Sequence, residues 1–365
     1  MKIASLVSLL IIILAVIFVS WSLKNDDKKL MPTSPSPIAE DRVQNKPLKV
    51  KVSIPYWDQK KAVTSFKKNV SDVNFVSLFW YFLGSDGDIH KYSDAKEDLS
   101  IVDFAHENGV KAEVVITNLP EDGDWDSDRV EHVLKDEQLL KKHIEQIVEL
   151  SERLNIDGID IDYEQLDQDL ETDFSHFIKE LGKALGEKGK YLGVALHPKS
   201  DDGIGNTNGA LAQDWKTISE GADNLYIMAF NEHWDESGPG PIASLPWVER
   251  IVRYAQNLGI DKSKFFLTIP LFGYAWERDS DQAAKGLTYS DVSQLLEKYV
   301  MSEEWDETNA SPHFQYEETD EWEVWYENAR SVTRKIELAE NAGFKGITFW
   351  RLGGEDPKIW NLFKD

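Results

Sequence analysis

The sequence predicts an α/β protein: a (β/α)8 TIM barrel, preceded by a membrane-spanning helix and carrying a small α+β insertion between its seventh strand and seventh helix. Three observations predict it. From Leu48 onward, short runs rich in β-branched and aromatic residues alternate with stretches of helical periodicity, and such alternation implies parallel pairing through right-handed crossovers. The runs number eight, the count that closes a barrel. One of them, DGIDIDYE from Asp157 to Glu164, stacks carboxylates on a single face, and the carboxyl-terminal rim of a barrel is where catalytic groups gather. A doubly wound open sheet is the alternative, but no GxGxxG follows the first strand.

The first element is Ile3 to Trp21, 19 residues without a charge, which as a helix would reach about 28 Å and span the hydrocarbon core. A cleaved signal peptide competes, since Ser20 and Ser22 form a small-x-small pair. Residues 1–23 are therefore expected to be an anchor or a signal. Residues 24–47 are charged and rich in Pro and Ser, which suits a semi-extended tether. The domain of residues 48–365 is expected outside the cytoplasm, membrane-anchored or secreted if the segment is cleaved, and monomeric.

Eight strands follow: KVKVSIPYW from Lys49, VNFVSLFWYF from Val73, KAEVVITN from Lys111, IDGIDIDYE from Ile156, YLGVALHP from Tyr191, NLYIMAFN from Asn224, KFFLTIPLFGY from Lys264 and GFKGITFW from Gly343. Between them, stretches such as EQLLKKHIEQIVELSERL space apolar residues three and four apart, the helical period. The connection over residues 274–328 exceeds the usual loop length. It carries its own helix, SDVSQLLEKYV, and two aromatic strand-like pieces, HFQYEE and EWEVWYE. It is expected to wall one side of a cleft.

Composition narrows the chemistry. A formal charge of -25, from 65 acidic and 40 basic residues, repels polyanions and argues against nucleic acid as a partner. The absence of Cys removes disulfides, thiolate zinc sites and thiol nucleophiles. Neither HExxH nor GxxxxGK[ST] occurs, so no metal or cofactor is expected.

Side chains alternate along a strand, so Asp160, Asp162 and Glu164 share one face, opposite Ile159, Ile161 and Tyr163. Neighbours on that face stand about 6.5–7 Å apart at the backbone. A buried cluster of like charges raises carboxyl pKa values, which keeps an acid protonated near neutral pH and able to donate. A calcium site is the alternative use of such spacing, but the Gly and Glu of an EF-hand loop are missing.

At these residues the chain resembles glycoside hydrolase family 18, whose DxxDxDxE signature is met by Asp157, Asp160, Asp162 and Glu164. MAFN at Met228–Asn231 resembles the family's M-x-Y-D strand, and IPLFGYAW and GITFWRLGGED its seventh and eighth strands. NEHWDESGPGPIASLPWVERIV and YEETDEWEVWYENARSV look most like the branch of spore-germination and cortex-lytic enzymes acting on peptidoglycan. The resemblance implies a retaining hydrolase of polymers containing β-linked N-acetylglucosamine. Glu164 would protonate the glycosidic oxygen. Asp162 would hold the 2-acetamido group, whose carbonyl attacks the anomeric carbon to give an oxazolinium intermediate. Asp160 would share a proton with Asp162, Trp350 would stack under the sugar, and Asp157 and Gly158 complete the structural motif.

Phe230 and Asn231 depart from the family's Tyr and Asp. They keep a second class open, a sugar-binding lectin on a degenerate barrel. His197 and Tyr226 are candidates for compensating the lost hydroxyl, and Met228 lies beside them. Trp57 and Trp276 are the expected stacking platforms, ahead of Trp80, Tyr81 and Trp234.

Overall fold

Seven of the eight apolar runs each form one parallel strand, and the remaining one, the seventh in chain order, divides in two. The structure, a computed structural model, describes residues 47–203 and 206–364. The expected membrane helix at Ile3–Trp21, and the tether up to residue 46, lie outside the described residues. Among the described residues no helix is long and apolar enough to cross a membrane.

The barrel strands are β1 (Lys49–Pro55), β2 (Phe75–Leu83), β3 (Lys111–Thr117), β4 (Gly158–Asp162), β5 (Tyr191–Leu196), β6 (Asn224–Met228), β7 (Phe265–Pro270) and β8 (Gly346–Trp350). Each pairs in parallel with the next. Pairing of Lys49 with Gly346 and Val50 with Ile347 joins β1 to β8 and closes the barrel. Helices connect successive strands on the outside. That arrangement follows from the sequence pattern. On β4 the outward residues Ile159, Ile161 and Tyr163 are buried against helices, while Asp160 and Asp162 turn inward.

The helix Glu137–Arg153 illustrates how the outer layer forms. Asp136 caps it by accepting from the Gln138 and Leu139 amides, which satisfies donors that the first helical turn leaves free. Its buried residues Leu140, His143, Ile147 and Leu150 recur at helical spacing. Each large aliphatic side chain so buried contributes about 1.5–3 kcal/mol. His143 meets the Tyr163 hydroxyl at 2.7 Å, which pins this helix to the back of the acidic strand.

The seventh run, KFFLTIPLFGY, is where the expectation differs. Its apolar pattern predicts one strand, but β7 stops at Pro270 and a separate strand, Phe272–Glu277, enters a second sheet. Proline has no amide hydrogen for a ladder, so the parallel pairing cannot simply continue through it. The second sheet is antiparallel, in the spatial order Lys285–Thr288, Phe272–Glu277, Glu321–Tyr326, Ser311–Glu317, Glu304–Asp306. With the helix Tyr289–Lys298 it encloses its own apolar cluster, including Val292, Phe314 and Val324. A capping box between Thr288 and Asp291 starts that helix.

Two glycines shape the inside of the barrel. A Cβ on Gly158 would lie 2.4 Å from the Tyr191 ring, and one on Gly193 would lie 2.4 Å from the Tyr226 ring. The bare backbones of β4 and β5 therefore admit two tyrosine rings beneath the acidic ladder.

Candidate active site

Asp160 and Asp162 rise along the inner face of β4, and Glu164 follows just beyond the strand at the mouth. The three line one cleft with Trp57, Trp125 and Trp350. Asp157 sits at the other end of the strand. Its Oδ2 accepts from the Ala112 amide and faces His106 Nε2, both at 2.9 Å, so it fixes the register of β3 against β4 and takes no place in the cleft.

The backbone of Glu164 is held by a residue that sequence reasoning named only as the end of the third run. Asn118, fully buried, accepts from the Glu164 amide at 2.8 Å and donates to the Glu164 carbonyl at 2.9 Å. Its Nδ2 also reaches the Asp126 carbonyl at 3.1 Å. The side-chain amide thus acts as a substitute backbone beyond the point where the β3 to β4 ladder ends. Asn118→Ala is expected to lower kcat roughly 10- to 100-fold with a small change in KM, because displacement of a reacting group by about 1 Å has that scale of effect. Steady-state kinetics beside a thermal melt checks it; unchanged kcat in a folded variant would remove Asn118 from the machinery.

Burial and mutual repulsion set the protonation of the ladder. Burial pushes Asp162 up to about 8, and the negative charge of Asp160 adds to the effect. Burial, reinforced by the charge on Asp162, holds Glu164 well above the usual carboxylate range. Burial raises Asp160 only to about 6, because the Lys51 ammonium opposes it. Asp162 and Glu164 therefore hold a proton more firmly than Asp160 does. The Glu164 side chain keeps 20% exposure, so its proton can be delivered to a molecule in the cleft.

The cation beneath the ladder was not singled out in the sequence. Lys51 Nζ lies 2.6 Å from Asp160 Oδ2 and 2.5 Å from Glu113 Oε1, with all three side chains buried. A signal for it existed. KVKVSIP alternates, so Lys51 and Ser53 face inward opposite Val52 and Ile54, and a lysine on the inner face of a barrel strand requires a partner.

Several expected site residues prove to be placed otherwise. Tyr226 lines the floor, but its hydroxyl donates to Glu113 Oε2 at 2.9 Å and its ring lies under Lys51, so it does not replace the missing hydroxyl of the cleft. His197 Nε2 accepts the Gln165 amide at 3.1 Å, and burial lowers its pKa to about 4. It is a neutral acceptor that holds the turn after Glu164, where Gln165 has a φ of 51°. Trp276, expected as a platform, is buried with Ile242 and Trp325 between the insertion sheet and the loop after β6. Its large apolar area is better satisfied there than at the rim. Trp80 is fully buried and donates to Gln59, while Tyr81 is tied to Glu97 and Arg153 away from the cleft.

Trp350 and Trp57 do meet in the cleft, with ring centroids 6.3 Å apart at 68°. Trp57 is 51% exposed, leaving about half of the residue open to a ligand. Trp125 joins them from the loop after β3; its stretch, EDGDWDSD, carries no strand or helix period that would have marked it. Met228, Phe230 and Asn231 line the same cleft. Asn231 has a φ of 62°, a left-handed conformation that Asn tolerates better than most residues.

A family model described as glycosyl hydrolases family 18 matches residues 120–355. The chain belongs to this family. Over 297 residues this family 18 chain is 25% identical to the cortical fragment-lytic enzyme of Bacillus anthracis, covering 80% of this chain and 67% of that one. Among solved structures, the spore cortex-lytic enzyme SleL of Bacillus cereus superposes with a TM-score of 0.79 at 23% identity, over 87% of this chain and 74% of that one. A chitinase from Chromobacterium violaceum ATCC 12472 also gives 0.79, at 26% identity, over 87% of this chain and 98% of that one. The protein is a glycoside hydrolase of the family 18 type.

Proposed function

We propose that the protein cleaves polymers of β-linked N-acetylglucosamine, peptidoglycan before chitin, with retention of configuration. The observation that carries this reading is the stack of carboxyl groups Asp160, Asp162 and Glu164 on one face of β4, rising into an open cleft lined by Trp57, Trp125 and Trp350. Glu164 donates its proton to the glycosidic oxygen as the bond to the anomeric carbon breaks. The substrate's own acetamido carbonyl, oriented by Asp162, forms the new bond to that carbon and gives an oxazolinium ion. Water then opens the ion, and the Glu164 carboxylate takes the proton back from it. No second enzyme carboxylate has to act as nucleophile, in keeping with substrate-assisted family members. Trp350 stacks on the reacting sugar, with Trp57 and Trp125 on its flanks.

Peptidoglycan is placed before chitin because the relatives include an enzyme named for cortical fragments. The chain's amino-terminal apolar run supports action outside the cytoplasm, anchored to the membrane or released after cleavage; recovery of the protein in the soluble cytoplasmic fraction would sink this part. Phe230 and Asn231 favour a second reading, a polymer-binding lectin, since the family's Tyr and Asp are absent.

The deciding experiment incubates the full-length protein with purified peptidoglycan and with N-acetylglucosamine oligomers and measures new reducing ends. Binding without cleavage favours the lectin. The mechanism also predicts a strict requirement: de-N-acetylated oligomers of the same length are expected to give turnover at least about 100-fold lower, since they lack the attacking carbonyl. Comparable rates on both would refute substrate assistance.

A further inference from the structure

We infer that Lys51, clamped by Glu113 and seated on the Tyr226 ring, is a positioning residue that keeps Asp160 ionised and so leaves the mobile proton of the ladder on Asp162 and Glu164. The inference rests on the hydrolase reading above.

The geometry that carries it is local and fully buried. Lys51 Nζ lies 2.6 Å from Asp160 Oδ2, 2.5 Å from Glu113 Oε1 and 3.1 Å from the centroid of the Tyr226 ring. Three barrel strands thus hold one ammonium from three sides, and Gly193 leaves the space that the Tyr226 ring needs. A structural ion pair would require only one carboxylate for one cation. Here the cation is shared between Glu113 below and Asp160 above, so the group carries one uncompensated negative charge directly under Asp162. The resemblance to the family implied that Asp160 would share a proton with Asp162. In this chain Asp160 also has a cation within hydrogen-bonding distance, on its Oδ2.

The surroundings leave few other charges to account for. β5 and β6 contribute the Tyr191 and Tyr226 rings. Lys111 lies over the Tyr191 ring at 5.3 Å, and Lys345 is engaged by Asn224 Oδ1 at 2.5 Å. The polar groups turned inward from β2, β7 and β8 are the hydroxyls of Ser77, Thr268 and Thr348, all buried without a hydrogen-bond partner. At the rim, His197 is a neutral acceptor. The charge felt by Asp160 is therefore dominated by Lys51 and Glu113, acting in opposite directions.

Opposite effects of two substitutions make the test. A negative charge beneath Asp162 stabilises the cationic oxazolinium, so activity should require Asp160 to be ionised, and the acidic limb of the kcat profile should report that ionisation. Lys51→Met removes the attraction and is expected to move the acidic limb up by about 1–3 pH units, the usual effect of one close charge. Glu113→Gln removes the repulsion and is expected to move it down. Full-length variants are assayed from pH 4 to 9 on purified peptidoglycan by reducing ends, with circular dichroism to verify folding. Where a single variant does not fold, Lys51→Met/Glu113→Gln, which removes one charge of each sign, carries the test; its limb is expected to move up, since Lys51 is the group touching Asp160. A limb that stays in place while only the amplitude changes, or that moves the same way in both single variants, overturns the inference and leaves Lys51 as a structural ion. The hydrolase reading fails separately, through an inactive wild type or an active Glu164→Gln.

Discussion

Glu164→Gln is expected to leave polymer binding intact and to lower turnover about 100- to 10,000-fold, the range over which a positioned general acid contributes. The amide keeps the shape of the side chain and the Asn118 clamp on its backbone, so the cleft should remain formed. What it loses is a transferable proton. The effect should fall on kcat, with KM nearly unchanged, because the missing interaction is made in the transition state. Initial rates on N-acetylglucosamine oligomers, with binding measured by calorimetry, check both halves. Retained turnover would mean that another group protonates the leaving oxygen, and the nearest alternative, His197, is a neutral acceptor with its Nε2 3.8 Å away.

Asp162→Asn is expected to separate activity from stability. Turnover should fall on the order of 100- to 1,000-fold, the scale for removing one group that stabilises developing charge. Stability should rise, and its pH dependence follows from the sign of the shift. Burial and Asp160 hold Asp162 near 8 in the folded state, against about 3.9 in an unfolded chain. A group whose folded pKa is raised stabilises fully below its unfolded pKa. Its contribution is lost as pH rises toward the folded value. The wild type should therefore lose stability between about pH 4 and pH 8 through this residue, and Asn, which does not titrate, should not. Thermal melts at pH 4 and pH 8 test it. The variant is expected to melt higher than wild type at pH 8, by about 2–4 °C for each kcal/mol recovered, with the gap closing at pH 4. A difference that is the same at both pH values would show that Asp162 is not a buried proton carrier.

This trade has a physical basis in where the acids stand. Asp160, Asp162 and Glu164 are buried acids on the inner face of the barrel, where burial disfavours their charged forms, and in the mechanism proposed above a protonated carboxyl at the mouth is what the reaction consumes and regenerates. The outward side of the same strand offsets part of that penalty, with Ile159, Ile161 and Tyr163 buried against helices. One strand thus carries both the instability of the site and the packing that tolerates it.

Features that depend on local periodicity are legible in the chain alone. Alternation along β4 dictates which residues face inward, so the ladder was legible as DGIDIDYE. Apolar runs alternating with helical stretches likewise dictate parallel strands, and counting them was enough to expect a closed barrel. Features that depend on contact between distant segments emerge only when the chain is folded. Lys51 meets Asp160 across 109 residues of chain, and Asn118 clamps Glu164 across 46; no spacing rule links such pairs. Aromatic residues divide in the same way. Trp276 stood out in the sequence as a platform and Trp125 did not, yet the first is buried beneath the insertion sheet while the second lines the cleft. A tryptophan is buried or open according to which loop folds over it, whereas the direction of Asp162 was set by the pleat of its own strand.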